Sequence, residues 1–302
     1  MPKLNWNQIA EEMKTMEKKD STKLDPTMPI VIRLDMRSGG SFVKGLNKPF
    51  DKTFTLAMLE TAKALAEQVQ GTQLAYVGSD EITLLLFNNS HKEHFTPFFE
   101  GKLQKMVSLT AAIATAEFNK AWYQLSTEFL GHKYCPTSDD YKYKQILDKK
   151  LFQARFDSRA FNIYGDPNFT MRGDIYDALT SIWWRVNDVT KNSIQMYARK
   201  YFSHKQLNNV KTKDMLKMLQ EIGHVWEIDV PTTNKYGNIF IREAYHGYGY
   251  NPKTQKNVST IRHRWSMSTE EEMSEFQKVS HPREFVNTQI FKRLTDKKTQ
   301  PY

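Results

Sequence analysis

Residues 75–87 read AYVGSDEITLLLF, and this stretch decides the fold. Its apolar runs predict two buried strands, near 73–78 and 82–87, joined by a tight turn. Two adjacent acids, Asp80 and Glu81, fall in that turn. Carboxylates are rarely fully buried unless something compensates their charge. The pair therefore either lies at a solvated hairpin tip or binds a cation.

The segments around the hairpin complete a recognisable order. "IVIRLD" at 30–35 has the β-branched density of a strand, and 52–69 and 99–125 have the apolar spacing of helices. A further strand fits 151–163, where apolar and polar residues alternate. The order β-α-β-β-α-β is that of a ferredoxin-like sheet with two helices on one face. We expect an α+β fold built on this unit, with a helical extension and a small C-terminal β segment.

Weaker patterns flank this unit. They predict a helix at Trp6–Lys18, helices at 171–202 and 212–222, short strands at 238–250 and 259–267, and a polar, loosely attached stretch over the last 30 or so residues. We therefore expect two domains. Residues 1–165 form the catalytic one together with the N-terminal helix, and residues 166–302 form a helical extension and a C-terminal region for RNA binding or oligomerisation.

Composition narrows the class of protein. The chain has 302 residues, 39% of them hydrophobic, which suffices for a substantial core. No apolar run approaches the roughly 18 residues of a membrane span, and the first residues lack the pattern of a signal peptide, so we expect a soluble cytoplasmic protein without membrane contact. The single cysteine, Cys135, excludes an internal disulfide and a multi-cysteine zinc site, and is interpreted as a packing residue.

The charge balance favours a polyanionic partner. Lysine and arginine number 43 against 34 acids, the net charge is +9, and 13% of the residues are aromatic. Nucleic acid is the first candidate for such a chain.

The predicted sheet brings three acids together. In the β-α-β-β-α-β order the first strand lies beside the hairpin, so Asp35 would face Asp80 and Glu81. Three carboxylates at one point repel each other unless a divalent ion lies between them, and Mg²⁺ takes such hard oxygen ligands. This arrangement suits two-metal nucleotidyl transfer. The competing interpretation is an ordinary turn, in which Ser79 and Asp80 make local hydrogen bonds and Asp35 caps the turn at Gly39.

Four motifs resemble one family. They are RLDMRSGGSF at 33–42, NKPFD at 47–51, YVGSDE at 76–81 and RFDSR at 155–159. Their order and rough spacing are similar to those of the tRNA-His guanylyltransferase family, over about residues 30–245. The resemblance implies a palm like that of ordinary polymerases, which extends nucleic acid in the 3′-to-5′ direction.

The resemblance also implies a metal and nucleotide site. Asp35 and Asp80 would bridge two or more Mg²⁺ ions, Met36 would add its backbone carbonyl, and Glu81 would assist the metals directly or through the ligands. The triphosphate of ATP or GTP, as substrate, would bind the backbone N–H groups of a loop made of Arg37, Ser38, Gly39 and Gly40, together with Ser79. The chain departs from the family at Met36, usually Gly, and near Gly40, where a His is common.

Other motif residues have two interpretations each. The resemblance implies that Lys48 and Asp51 contact a second triphosphate, whereas a surface turn built on Pro49 is the simpler alternative. Lys102 and Lys105, three apart on the predicted helix, would bind phosphate or would be a solvated face. In RFDSR, Arg155, Asp157 and Arg159 would contact the nucleotide or form ion pairs within the sheet.

The C-terminal half differs more from the family. Eukaryotic-type members carry a His-Ile-Asn-Asn series where this chain has Thr190, Lys191, Asn192 and Ser193, so only Asn192 is retained. Strict recognition of tRNA-His is therefore not expected. The set Ser203, His204 and Lys205 suits RNA phosphates, and His263 and Trp265 suit base stacking.

The sequence thus predicts a metal-dependent 3′-to-5′ nucleotidyltransferase that acts on the 5′ end of tRNA, by template-directed repair or by G addition to tRNA-His. Its partners would be tRNA or a tRNA-like RNA and nucleoside triphosphates, and the family resemblance implies a tetramer. One alternative is a nucleotide cyclase-like enzyme with the same palm, which needs no RNA. Another is an RNA-binding protein with an inactive palm, against which the retained acids argue.

Overall fold

The computed structural model describes residues 5–19, 21–88, 95–129, 138–164 and 174–295. Cys135 lies outside these ranges. Six strands form one sheet: β1 Ile30–Met36, β2 Thr72–Gly78, β3 Glu81–Leu86, β4 Phe156–Asn162, β5 Asn238–Asn251 and β6 Lys256–Met267. Helices of the first half are α1 Trp6–Lys19, α2 Gly39–Phe42, α3 Lys52–Gln68, α4 Leu103–Glu128 and α5 Asp139–Lys149. Those of the second half are α6 Ile175–Ala198, α7 His204–Leu207, α8 Thr212–Glu221, α9 Trp226–Asp229, α10 Thr232–Tyr236, α11 Glu270–Gln277 and α12 Gln289–Thr295.

The sheet is antiparallel throughout, in the order β4-β1-β3-β2-β5-β6. The fold is therefore a mixture of helices and an antiparallel sheet, as expected. The hairpin of β2 and β3 forms as predicted, and β3 pairs with β1 in a register that puts Asp35 opposite Glu81. One end of β1 thus lies directly against the hairpin turn.

Apolar side chains on the two faces of the sheet form two cores. On one face, Leu34 packs with Met58 of α3 and with Phe118 and Trp122 of α4. On the other face, Val31, Tyr76 and Leu85 pack against α6 and the C-terminal helices. This alternation follows from the two-residue period of a strand, which sends neighbouring side chains to opposite faces. A third cluster holds α7, α8 and α9 against the end of α6.

Two predicted boundaries in the first half are wrong. The predicted helix at 99–125 begins only at Leu103, because Phe99 and Glu100 have positive φ angles of 49° and 56° and form part of a 3-10 turn at Phe98–Gly101. The predicted strand at 151–163 is shorter, since it begins at Phe156. Between α4 and β4 lies α5, which the sequence did not predict.

The C-terminal half is more ordered than its composition predicts. The two short strands become β5 and β6, and β5 pairs with β2, so they extend the main sheet. The last 30 residues are not loosely attached up to residue 295: Phe276 stacks on Phe285 with ring centroids 5.1 Å apart, and Ile290 and Phe291 are buried. Residues 296–302 lie outside the described ranges. The division into two domains at residue 165 stays a prediction.

The longest described helices carry too much polarity for a membrane-spanning segment, and no described helix qualifies as one.

Replacing Phe285 by Ala tests the packing of the C-terminal segment. Phe285 is 1% exposed and its neighbour Val286 is 44% exposed. We expect Phe285→Ala to lower the free energy of unfolding by about 3–5 kcal/mol, as for other buried aromatic residues, and Val286→Ala to lower it by less than about 1 kcal/mol. Urea unfolding of both variants measures this. Equal effects would show that the segment does not pack against the sheet.

Candidate active site

The turn between β2 and β3 is held against the end of β1. Ser79 adopts a left-handed conformation with φ of 55°, which lets the chain reverse within two residues. The backbone N–H of Met36 donates to the carbonyl oxygen of Asp80 at 3.1 Å. Together with the Asp35–Glu81 register, this bond brings the three predicted acids to the same end of the sheet.

The Asp80 carboxylate lies against α2. A Cβ atom added to Gly39 would be 2.1 Å from Asp80 Oδ2, so only glycine leaves room for this carboxylate. The hydroxyl of Ser79 donates to Asp80 Oδ1 at 2.9 Å. The close approach to Gly39 and the hydrogen bond from Ser79 fix the position of the Asp80 carboxylate. The first of these explains why a glycine follows Ser38 in the loop.

The environment of Asp35 disfavours its negative charge. Burial raises the pKa of the Asp35 carboxyl group above its usual range, and the neighbouring carboxylates of Asp80, Glu81 and Asp157 raise it further, whereas Arg33 opposes them. A group whose ionised form is disfavoured in this way gains from a nearby cation. The end of β1 is therefore suited to bind a positive ion.

Glu81 has a different environment from the other two acids. Arg33 donates to its Oε1, and the buried Arg185 of α6 donates to its Oε2 at 2.9 Å. Both oxygens thus accept from guanidinium groups, which compensates the charge. This geometry favours a role in which Glu81 holds α6 against the strand over one in which it binds a metal directly.

With both Glu81 oxygens paired to arginines, few other oxygen ligands are left for a metal. Within the described ranges, no group of three or more His, Cys, Asp or Glu residues is arranged to hold a metal ion. Magnesium, however, commonly takes only one or two protein carboxylates and completes its coordination with water and substrate phosphates. Asp35, Asp80 and the Met36 carbonyl, the set predicted from sequence, are compatible with that mode.

A pocket of about 370 Å³ opens beside Asp80, within the size range of small-ligand sites. Six of the predicted residues line it: Gly39, Gly40, Lys48, Asp51, Ser79 and Asp80. Phe54, Met58 and Val189 add apolar walls. The mixture of an acidic mouth, cations and apolar walls suits a molecule with both a charged and an aromatic part.

Asp51 has a structural role that the sequence interpretation missed. Its carboxylate caps α3 by accepting from Phe54 N at 3.0 Å, and it also accepts from Asn47 N at 3.0 Å and from the Tyr143 hydroxyl at 2.8 Å. Burial, and then the bond to Asp51, raise the pKa of Tyr143, so its hydroxyl stays protonated as a donor. The predicted contact of Asp51 with a triphosphate is therefore not favoured, whereas Lys48 remains available at the pocket wall.

The structure does not bring Lys102 and Lys105 to this site. Lys102 precedes α4, so the prediction that both lie on one helix face is wrong. The backbone of Lys102 forms an isolated antiparallel β-bridge with Lys23, and its side chain forms an ion pair with Glu100 at 3.3 Å. This segment adjoins Leu24, beside the first residues of β1, so it lies at the opposite end of the strand from Asp35.

Several polar motif residues make local contacts. Arg159 and Asp157 form an ion pair at 3.9 Å, as the structural alternative predicted, whereas Arg155 donates to the Gln153 carbonyl. Ser203 caps α7 through Gln206, while His204 and Lys205 are exposed. Trp265 packs against the first core, which does not favour stacking on a base.

Further pocket residues were not predicted. Arg199 and Lys200 of α6 add positive charge to the wall, and the buried Asn238 at the start of β5 lines the pocket with Asn192 and Ser193. Asn238 Oδ1 is one of the few buried side-chain atoms in the described part of the chain without a hydrogen-bond partner. A lone Asn before a strand gives no sequence signal, because its proximity to the pocket depends on pairing between β5 and β2.

Carboxylates at the mouth of a pocket of this size and polarity are typical of enzymes that transfer nucleotidyl groups. The sequence comparison is more specific. The pattern of the family described as tRNAHis guanylyltransferase matches residues 10–164, and the chain belongs to this family. It is accordingly a nucleotidyltransferase that adds nucleotides at the 5′ end of tRNA, as the motifs predicted.

Solved structures are similar to most of the chain. A bacterial tRNA(His) guanylyltransferase (Thg1)-like protein in complex with ATP is 33% identical, with a TM-score of 0.64, covering 86% of this chain and 91% of that one. A bacterial Thg1-like protein in complex with GTP is 28% identical, with a TM-score of 0.60, covering 90% of this chain and 100% of that one. The tRNA(His) guanylyltransferase of Saccharomyces cerevisiae is 19% identical, with a TM-score of 0.54 over 74% and 90%, and so supports the fold alone.

A viral protein is also similar. An uncharacterized protein of Acanthamoeba polyphaga mimivirus is 26% identical over 241 residues, which cover 78% of this chain and 77% of the viral one.

Two glycines of α2 provide a matched test of the site. Gly39→Ala would displace the Asp80 carboxylate, so we expect nucleotide addition to fall by about tenfold or more, with little change in melting temperature. A Cβ atom on Gly40 meets no protein atom within 4 Å, so Gly40→Ala leaves the Asp80 carboxylate in place and should lower the rate less than Gly39→Ala does. Single-turnover addition assays compare them. If both variants behave alike, the position of Asp80 does not matter for the reaction.

Proposed function

We propose that this protein repairs the 5′ ends of truncated tRNAs, and that the opposing strand of the acceptor stem selects each added nucleotide. The observation that carries the proposal is the pair Asp35 and Asp80 at the same end of the sheet, held there by the β1–β3 register and the Met36–Asp80 hydrogen bond, with Asp80 in the wall of the pocket. Family membership supplies the substrate class.

The strand order supports a palm of the polymerase type. The four strands β4-β1-β3-β2, with α3 and α4 on one face, have the connections of a ferredoxin-like sheet. In this arrangement the acids lie where a strand end meets a hairpin turn, so both project at one edge of the sheet. We infer that this edge is where the RNA end and the nucleotide meet.

The pocket is assigned to a nucleoside triphosphate. The bacterial relatives were solved with ATP and with GTP, and the pocket of this chain has Lys48, Arg199 and Lys200 for phosphates. The apolar wall suits a base, and the buried Asn238 Oδ1 offers an acceptor to a base amino group. A donor at that point would relieve the roughly 1–3 kcal/mol that an unpaired buried acceptor costs.

Magnesium fits the carboxylate pair. Burial, and then repulsion by the neighbouring carboxylates, raise the pKa of Asp35; a divalent cation would offset both effects, and Met36 would contribute its carbonyl. When bound, such ions supply charge neutralisation on the phosphate oxygens. The chain itself supplies the placement: Gly39 and Ser79 fix Asp80, and the arginines around Glu81 hold α6 beside it.

Two transfers account for addition at a 5′ end. The 5′-monophosphate of the RNA attacks the α-phosphate of ATP or GTP, and pyrophosphate leaves. The 3′-hydroxyl of an incoming nucleoside triphosphate then attacks the activated 5′ phosphate, and AMP or GMP leaves. No side-chain nucleophile is needed, since the reacting groups all belong to RNA and nucleotide. The protein acts by positioning them and by stabilising charge.

The sequence of α6 supports selection of the added nucleotide by the opposing RNA strand. Thr190, Lys191, Asn192 and Ser193 replace the series that eukaryotic-type members carry. Ser193 is buried and accepts from Trp226 Nε1 at 3.2 Å, so it packs within the helical region, whereas Lys191 and Asn192 are exposed. We infer that base pairing, not this helix, chooses the nucleotide. We further propose that the enzyme acts in the cytoplasm as a tetramer, by resemblance to the family.

A set of tRNAs lacking one 5′ nucleotide, with the opposing base varied through all four, tests this function. We expect the added nucleotide to follow the opposing base, because pairing supplies the selection. The products are resolved by sequencing after incubation with Mg²⁺ and each triphosphate. Addition of G alone, and only to full-length tRNA-His, would contradict the proposal.

Substituting Asp35 tests the metal assignment. We expect Asp35→Asn to raise the melting temperature by about 1–3 °C without divalent ions, because repulsion is relieved, and to abolish the stabilisation that Mg²⁺ gives the wild type. Addition should fall about a thousandfold or more.

The matched control is Asp157→Asn, since Asp157 also lies opposite Asp35 but is not one of the proposed metal ligands. It should keep both the Mg²⁺ effect on melting and most of the activity. A Mg²⁺-dependent shift that persists in Asp35→Asn would refute the assignment.

A further inference from the structure

A polar cluster lies between the end of α6 and the turn that joins α8 to α9. Tyr197 of α6 is 4% exposed, and its hydroxyl donates to Asp229 Oδ2 of α9 at 2.6 Å. The same carboxylate oxygen accepts from the backbone N–H of Val225 at 2.9 Å. His224 Nδ1 lies 3.6 Å from Asp229 Oδ2 and 3.5 Å from the Tyr197 hydroxyl. None of these four residues lines the nucleotide pocket.

The backbone places the His224 ring. Gly223 has a φ angle of 83°, which ends α8, and the N–H of His224 then donates to the Leu219 carbonyl at 2.9 Å. The imidazole stacks on the Tyr201 ring, with centroids 4.0 Å apart and an interplanar angle of 27°. The His224 side chain is 34% exposed, so a proton can reach it from solvent. The ring is thus held between Tyr201 and Asp229 while still open to protonation.

Tyr201 connects this cluster to the pocket. Arg199 and Lys200 line the pocket, and Tyr201 follows them directly in the chain. The Lys200 ammonium lies 5.2 Å from the centre of the Tyr201 ring. In the described part of the chain Lys200 forms no ion pair, so this ring is the contact that a phosphate group would have to replace. One aromatic ring therefore contacts both a pocket lysine and the imidazole.

The surroundings of His224 hold one fixed negative charge. The titratable and charged groups that face the imidazole come from α6 and α9, and they are Tyr197, Tyr201, Lys200 and Asp229. The Tyr197 hydroxyl, and then the Val225 N–H, lower the pKa of Asp229, so this carboxylate stays ionised near neutral pH. Imidazole is the side chain that usually changes its charge between pH 5 and 8. A change of pH in that range therefore changes the charge of the cluster at His224.

Protonation of His224 alters what the Tyr201 ring offers to Lys200. An imidazolium pairs with the Asp229 carboxylate, and by stacking on the ring it takes up the negative potential that attracts an ammonium. The two cations also repel each other. Lys200 is exposed at the pocket wall, and phosphate groups are then its better partner.

We propose that His224 is a pH-sensitive positioning residue of the pocket, whose protonation moves the Lys200 ammonium from the Tyr201 ring to the phosphates of the bound nucleotide. The inference rests on the proposed function, which assigns the pocket to a nucleoside triphosphate. The pocket therefore binds a triphosphate more tightly when His224 is protonated. Binding of adenosine, which carries no phosphate, does not depend on the charge of His224.

Equilibrium binding of ATP, with Mg²⁺ and without RNA, tests this inference. His224→Gln keeps a polar side chain that cannot take up a proton, and the matched control His204→Gln changes an exposed histidine of α7. We expect His224→Gln to bind ATP about fivefold more weakly than the wild type near pH 6 and equally near pH 8, which is a coupling of ordinary size. His204→Gln should follow the wild type at both. Comparison at the same pH removes the ionisation of ATP itself from the result.

Lys200→Gln separates the proposed route from a loss of structure. Because His224 acts through Lys200, His224→Gln should cause no further loss of ATP affinity in a Lys200→Gln background. By reciprocity, saturating ATP should raise the pH at which the His224 imidazole takes up its proton, observed by NMR of histidine-labelled protein. This shift should be smaller in Lys200→Gln.

Two outcomes overturn the inference. If His224→Gln weakens ATP binding equally at both pH values, or at neither, the charge of His224 does not act on the pocket, although the pocket still binds a triphosphate. If the wild type binds no ATP at either pH, the assignment of the pocket fails and the inference fails with it.

Discussion

Antiparallel pairing of β1 with β3 is the constraint on which the site depends. Because Asp35 lies opposite Glu81 and the Asp80 carbonyl accepts from Met36, a slip of one residue would send Asp35 to the other face of the sheet. Apolar residues on both faces fix the register, since Leu34 belongs to one core and Val31 to the other. The folding energy of the two cores is thus what holds mutually repelling carboxylates side by side.

The same constraint connects the two halves of the chain. Arg185 reaches Glu81 from α6, and α6 also supplies Asn192, Ser193, Arg199 and Lys200 to the pocket. Removing either partner of a buried ion pair leaves an uncompensated charge, which makes such contacts specific in position as well as stabilising. Placement of the pocket therefore depends on a charge pair between a strand of the first half and a helix of the second.

Local patterns predicted much of this from the sequence. The hairpin at 75–87, β1, α3 and the convergence of Asp35 with Asp80 all follow from strand and helix periodicity, and these are confirmed. The apolar periodicity did not predict α5, because its residues are mostly polar. Ser138 and the acids after it nevertheless form an ordinary N-terminal cap. The role of Asp51 as a helix cap and the pairing of Glu81 with Arg185 were not predictable, because their partners are distant in sequence. The same holds for Asn238, and for the C-terminal helices whose few apolar residues all face the sheet.

The direction of synthesis is the most direct test of the account. An RNA with a 5′-monophosphate and a 3′-terminal ribose blocked by periodate oxidation and reduction is incubated with a nucleoside triphosphate labelled at the α-phosphate. The account predicts that label is added at the 5′ end of the blocked RNA and that Asp80→Asn abolishes the addition. Incorporation that requires a free 3′-hydroxyl on the RNA, or that persists undiminished in Asp80→Asn, would contradict it.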